Sequence, residues 1–479
     1  MKTSAKFLFG AILAMGASSV FAQTPEQLEI QCANGNTVGE NNSLYTEYAK
    51  QKNWGDAYEF WKALYDAVPN FNKNVYVYGV NILKDRINKV KADPAARQAA
   101  VDDLMALYDN RMKYFPSPEI LGKKATDYLT IMGKNADKDL AFGWIEQNVL
   151  EQKDDADAKV LTQYVSISYD KFKDDPAYKP TYIANYMKGT EYLDGALDRY
   201  QLRLEADRDI CAGVKASDPS TKANTPEKAA KDSTLAKQFI DYTRKAKMGL
   251  VTQFAGSGAA DVATLVEIFT PQVEEKKNDQ VFLNNVSKLL GRSKEGRETE
   301  LYTTCADYSY QISPSMEAAK GLAQAALKKQ DWDRAMDYYE EALKLAIQPD
   351  DKCEILKYEA AIHQQRGRKS AAREALRKSL ALDPEQAEPH VMIANLYATS
   401  ARESGLDANI QGLVFVAAVS EMQQAAAREE DPEKKASYNS TIAKYKAAYP
   451  EKSMLFMKGL QSGSSYTIGG WMGVTITVP

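Results

Sequence analysis

The sequence predicts an all-α protein: a solenoid of stacked helix pairs with a short C-terminal β tail. Three observations carry that prediction. Lys328–Leu345, KKQDWDRAMDYYEEALKL, places Trp332, Ala335, Met336, Tyr339, Ala342 and Leu343 at three- and four-residue spacing, one apolar stripe of a helix. The preceding Met316–Lys329 repeats the spacing with Ala319, Leu322, Ala323, Ala326 and Leu327. Far upstream, KQKNWGDAYEFWKALYDAVP at Lys50–Pro69 aligns without a gap, Trp54 over Trp332, Ala57 over Ala335 and Trp61 over Tyr339. A pair of short helices cannot bury both faces alone, so such a unit implies stacked neighbours of the same kind.

From the start, Met1–Ala22 reads as a secretory signal: Lys2 and Lys6, the apolar run Phe7–Val20, then Val20-Phe21-Ala22 before Gln23. The run is too short for a membrane span. No cysteine stands at the cleavage point, which argues against a lipid anchor, and the expected product is a soluble exported chain cleaved after Ala22. Residues 23–205 form an N-terminal arm: pairs at Ser43–Pro69, at Asn74–Val90 with Pro94–Tyr114, at Pro118–Met132 with Lys138–Gln152, and at Asp157–Phe172 with Tyr178–Leu204. Pro94 suits a first helical turn.

Residues 206–232 break the rhythm with Lys, Asp, Ser, Thr and Pro, and read as a flexible linker between two arms or an insertion in a continuous stack. Residues 233–458 form the second arm. Helix is expected from about Thr234 to Thr252, then Asp261–Glu274, Asp279–Leu290 and Glu298–Ile312. The clear repeat at Met316 follows. The next copy, with Leu356, Ala360, Ala372 and Leu376, is longer than the usual period of about 34 residues, and the insertion is assigned to a loop at Gln348–Lys352. Gln386–Thr399 and Leu413–Arg428 make a further pair, and Pro432–Ala448 a terminal capping helix. Residues 459–479 form the tail, where SSYTIGGWMGVTITVP has strand chemistry around Gly469-Gly470. Ser464–Val478 is expected to pair with itself or lend an edge to a partner, the other reading being a lid over the last helices.

Composition narrows the function classes. The formal charge of −4 leaves no basic excess for nucleic acid. The four cysteines, Cys32, Cys211, Cys305 and Cys353, make no CxxC; Cys305 and Cys353 fall in helical patterns as small buried residues. His363 and His390 stand in different units, away from metal-ligand spacing. Gly256-Ser257-Gly258 lacks the third glycine of a dinucleotide loop, which would be Asp261, and Gly122-Lys123 lacks the earlier P-loop glycine, which is Ser117. GxSxG and HExxH do not occur. The sequence therefore predicts no enzyme, no cofactor, no metal and no catalytic residue. Aromatic side chains crowd the first units, either as knobs between helices or as a surface that stacks on a ligand; Tyr45, Tyr48, Tyr76 and Tyr78 are the candidates for a concave partner-binding face.

The repeat resembles the tetratricopeptide repeat (TPR), in which small residues occupy helix crossings, here Ala323, Ala335 and Ala342, and an aromatic follows on the second helix, here Tyr339. Three blocks, Ser43–Lys84, Gly256–Pro271 and the tail, are similar to exported TPR proteins of Bacteroidota. That resemblance implies a right-handed TPR-like α-solenoid in the periplasm or at the outer membrane, and transfers no catalytic residue. Some TPR domains grip a carboxylate with Lys and Asn on successive first helices. Lys320 matches one position, while Gln324, Tyr358, Glu388 and Met392 depart from the rest. Lys320 and Gln324 remain candidates for contact with a partner. The function expected is an exported scaffold that binds a protein or peptide of the cell envelope in its groove; the alternative is a glycan-binding helical protein.

Overall fold

The computed structural model describes residues 25–217 and 223–479; the expected signal segment, Met1–Ala22, lies outside them. The described residues are helical apart from loops, one isolated bridge and a terminal hairpin. They fall into two compact units, one ending at Ile167 and the other running from Ser168 to Pro479.

The first unit contains α1 (Pro25–Leu28), α2 (Val38–Lys50), α3 (Trp54–Ala67), α4 (Lys73–Lys89), α5 (Pro94–Tyr114), α6 (Ile120–Met132), α7 (Lys138–Gln152) and most of α8 (Ala158–Asp174). Their starts follow local chemistry. Thr37 and Glu40 cap α2 reciprocally, Asn72 caps α4, and Asp93 caps α5 with Pro94 in the first turn. Successive helices pack as pairs, α2 on α3, α4 on α5 and α6 on α7. At the centre Trp61 is fully buried, donates its indole N–H to the Val75 carbonyl at 2.7 Å and stacks on Tyr65. Gly79 lies against the Trp61 ring, where any Cβ would stand 2.7 Å from Cζ2.

The second unit opens with two long helices packed along one another, α9 (Lys179–Cys211) and α10 (Pro226–Ala255). Both run into the segment read as linker or insertion. Thr225 accepts from the Lys228 amide and Pro226 occupies the first turn, a start signal that the charged composition had masked. α11 (Val262–Val273), α12 (Gln280–Gly291), α13 (Lys294–Arg297) and α14 (Glu300–Ile312) follow, then the pairs α15 (Met316–Lys328) with α16 (Trp332–Leu345), α17 (Pro349–Gln365) with α18 (Lys369–Leu382), and α19 (Glu388–Ala398) with α20 (Val414–Arg428). The expected loop at Gln348–Lys352 is instead the start of α17. Pro349 sits in its first turn and Asp350 and Asp351 complement the positive end of the helix.

Three turns share one geometry. Lys52, Gln330 and Gly367 occupy the same place before the second helix of their pairs, with φ of 57°, 57° and 71°. In each, the next amide reaches back to close a Schellman motif: Asn53 to the Tyr48 carbonyl, Asp331 to Ala326 and Arg368 to His363. The alignment of Trp54 with Trp332 thus extends to backbone hydrogen bonding. Ala57, Ala335 and Ala372 are fully buried at the crossings.

The chain ends with α21 (Pro432–Ala447), α22 (Lys452–Met457) and an antiparallel hairpin, β1 (Ser465–Ile468) with β2 (Val474–Thr477), Ser465 opposite Thr477 and Ile468 opposite Val474. Ile468, Met472 and Val478 are buried in the core shared with α19 and α20. Arg373 donates to the Met472 carbonyl, and Trp471 packs beside Tyr397. The hairpin pairs with itself and covers the last helices.

Candidate functional site

Of the six predicted contact residues, four belong to the first unit and are engaged there in packing. Tyr45 is 0% exposed and Tyr76 2%. The Tyr76 hydroxyl donates to the Pro69 carbonyl at 2.7 Å, and the ring meets Tyr65 edge-on. Tyr48 and Tyr78 are half-buried, the first stacked on Phe60 and the second edge-on to Tyr45. Tyr45 and Tyr76 are packed in the interior of the first unit, Tyr76 between the rings of Tyr65 and Phe115. Lys320 and Gln324, in the second unit, border a cavity of about 500 Å³.

That cavity is built from regular helical faces. α9 contributes Met187, Thr190, Asp194 and Asp198, spaced three, four and four residues apart. α15 contributes Glu317, Lys320 and Gln324, and α17 contributes Asp351, Glu354 and Tyr358, with Gln348 at its cap. Ser287, Lys288 and Gly291 come from α12, Lys247 from α10 and Tyr302 from α14. Sequence reasoning missed most of these residues. Two first helices of their pairs, α15 and α17, contribute to this lining.

A chain of charges runs through the cavity. Lys247 and Lys288 both pair with Asp194, Lys288 at 3.2 Å, and Lys288 also reaches Glu317 at 3.1 Å. Burial opposes the charge on Asp194, but Lys288 and Lys247 outweigh it and hold the carboxyl below its ordinary value. Burial likewise opposes the charge on Lys288, and Glu317 with Asp194 raise it well above the usual lysine value. Lys320 pairs with Glu354 at 2.5 Å; burial disfavours the Glu354 charge and Lys320 more than restores it. Gln324 donates to the Tyr339 hydroxyl, and Tyr339 stacks on Tyr358. Arg292 donates to the Tyr186 hydroxyl and Arg297 to the Gly291 carbonyl, and among the described residues neither arginine forms an ion pair.

Two carboxylates stand outside this pairing. Asp198 accepts from Gln348 Nε2 at 2.8 Å, and its carboxyl is raised by burial. Asp351 is pushed up to about 6, by burial first and by Glu317, against the pull of Lys320, Lys247 and Lys288. Among the described residues neither forms an ion pair.

Elsewhere, His390 is buried with Nδ1 2.6 Å from Glu421 Oε2, and Glu421 also pairs with Arg377. His363 lies apart on α17. Among the described residues no group of three His, Cys, Asp or Glu is placed to hold a metal ion, and the four cysteines are free. No helix of the described residues is long and apolar enough to cross a membrane.

No family model matches the chain, and no curated protein matches it. Solved structures do. The chain is similar to yeast Tom70, at 12% identity over 86% of this chain and 96% of that one with a TM-score of 0.28. It is similar to human IFIT1, solved as a dimer with m7Gppp-AAAA, at 11% identity over 88% and 92% with a TM-score of 0.31. A third similarity is to the APC/C hetero-tetramer Cut9-Hcn1, at 12% identity over 85% and 96% with a TM-score of 0.28.

Proposed function

We propose that this chain is a non-enzymatic scaffold of the tetratricopeptide-repeat type, exported to the cell envelope, that binds a protein or peptide partner, with the charged cavity of the second unit as its recognition site. The observation that supports this most is the convergence of polar faces from α9, α12, α15 and α17 on one cavity. Fixed, mutually paired charges suit recognition: they orient a partner and reject wrong ones, because a partner lacking the complement leaves them desolvated. The same pairing takes Asp194, Glu354 and Lys288 out of acid–base chemistry, since each is held in its charged form.

The test is crosslinking of the full-length chain in its native envelope, capture, and mass spectrometry, with the intact protein and a Lys320→Gln/Glu354→Gln double variant. Replacing both members of the pair removes the charges without stranding one of them. One protein captured by the intact chain and lost with the double variant is the expected result. Retention of a polysaccharide fraction with no protein would overturn it in favour of glycan binding.

A further inference from the structure

We propose that α22 and the end of α21 form a membrane-docking surface: Phe456 and Met457 enter the headgroup region of a bilayer rich in anionic phospholipid, and the lysines around them meet its phosphates. This goes beyond the scaffold reading above and uses no residue of the cavity. α22 is anchored by Leu455, which is 2% exposed and belongs to the core shared with α19 and α20. The next two side chains are left outside. Phe456 is 82% exposed and Met457 68%, more than any other large apolar side chain among the described residues. Ser453, Phe456 and Met457 share one face of α22, three and four residues apart, so the two apolar groups project together with only a hydroxyl beside them. Gly459, at a φ of 69°, closes the helix directly afterwards, and the Leu460 amide donates back to the Leu455 carbonyl.

The charge around these two side chains points to what covers them. Residues 432–479 hold six lysines and two glutamates, a formal excess of four positive charges in a chain that totals −4. Lys444 and Lys446 stand in the last turn of α21, and Lys452 opens α22 one turn before Phe456. All three are exposed and, among the described residues, form no ion pair. Lys458 follows Met457 and pairs with Asp407 at 2.7 Å, and Glu451 precedes Lys452. Apolar groups bury at the boundary between headgroups and acyl chains, and each lysine near an anionic surface adds attraction. The rest of the chain carries net negative charge, so an anionic bilayer repels it and favours approach by this end.

A protein partner fits this surface less well. The cations of residues 432–479 are lysines without one arginine, and protein interfaces enrich arginine and deplete lysine. A protein would also need a pocket for the projecting Phe456 ring and acids fixed against flexible side chains. A bilayer yields to the ring and offers phosphates on every side of it, where a lysine acts as a point charge without set geometry. The association is reversible, because two apolar side chains bury far less than a lipid chain and salt screens the lysines.

The experiment is co-sedimentation of the chain from Gln23 onward with vesicles of phosphatidylcholine alone or of phosphatidylcholine and phosphatidylglycerol in equal parts. Starting at Gln23 keeps the apolar run Phe7–Val20 from binding lipid itself. The chain is expected to bind the mixed vesicles about tenfold or more tighter than the neutral ones, and to be released by high salt. Two variants, Phe456→Ser/Met457→Ser and Lys444→Gln/Lys446→Gln/Lys452→Gln, are each expected to lose about tenfold or more on the mixed vesicles. All five side chains are exposed, so both variants are expected to melt with the parent, which separates lost docking from lost folding. Three results would overturn the inference: no binding of the parent to mixed vesicles, equal binding to both compositions, or binding unchanged in both variants. An envelope protein captured by the parent and lost with Phe456→Ser/Met457→Ser, without vesicle binding, would overturn it as well and assign the surface to a protein. Neither variant touches the cavity, so this reading and the scaffold reading fail independently.

Discussion

Asp351 illustrates how burial in a cavity turns one carboxyl against stability. Its carboxyl is raised from 3.8 to about 6, chiefly by burial. Between those values the folded chain keeps a proton that the unfolded chain has released, so the cost of ionising Asp351 grows across the window and is complete above it. Asp351→Asn is therefore expected to raise stability at pH 7, by at most about 3 kcal/mol, with the gain fading as the pH falls toward 4. Melting curves of both proteins at several pH values check this. A gain of the same size at every pH would mean that the carboxyl's charge is not its source. At Gly79 two effects oppose one another. Alanine improves helix propensity by about 1 kcal/mol or less, yet its Cβ would stand 2.7 Å from a ring pinned by the Trp61–Val75 hydrogen bond. Overpacking of that kind costs about 1–3 kcal/mol, so Gly79→Ala is expected to lower the denaturant midpoint.

At the scale of elements, the three Schellman turns are one device used with unequal residues. Gly367 adopts positive φ without strain, while Lys52 and Gln330 hold it with a Cβ present. Gln330→Gly is expected to stabilise by about 1 kcal/mol, read as a shift in denaturant midpoint with an unchanged slope, and Lys52→Gly to act alike. The same substitution at Lys329, which lies before the left-handed position, has no such benefit and serves as the control. The charged faces of α15 and α17 show a second rule for elements. Tyr339 and the alanines satisfy the packing of each pair, which leaves the opposite face of the first helix free to carry Lys320, Glu354 and Asp351 into the cavity.

For the whole molecule, the tail belongs to the core of the second unit that α19 and α20 build. Removing Ser464–Pro479 takes Ile468, Met472, Ile476 and Val478 out of the core they share with α19 and α20 and removes Trp471 from beside Tyr397. The truncated chain is expected to melt several degrees lower, a loss of at least about 2 kcal/mol, while capture of the envelope partner is retained. Loss of binding with unchanged melting would instead make the hairpin part of the recognition surface.

The periodicity of small and aromatic residues by itself determined the helix pairs and the crossings at Ala57, Ala335 and Ala372, because burial of one stripe per helix is a property of spacing along the chain; the β-branched residues around Gly469-Gly470 marked the tail as strand, and its pairing came from the structure. Pro94 marked one helix start in the sequence; the same kind of signal at Thr225-Pro226 and at Pro349 stands in charged or polar surroundings that suggest loop. The site was far less legible. Asp194, Asp198, Glu317, Asp351 and Glu354 have helical spacing on polar faces, and in sequence a face turned to solvent looks the same as a face turned into a cavity. Equally, Tyr45 and Tyr76 carry an aromatic signature that serves a core as well as a surface. Only the tertiary structure decided between them, since which neighbour stands opposite a face depends on how α9, α12, α15 and α17 are brought together, and that encounter alone sets the desolvation, the ion pairs and the unpaired acceptors from which the cavity's chemistry follows.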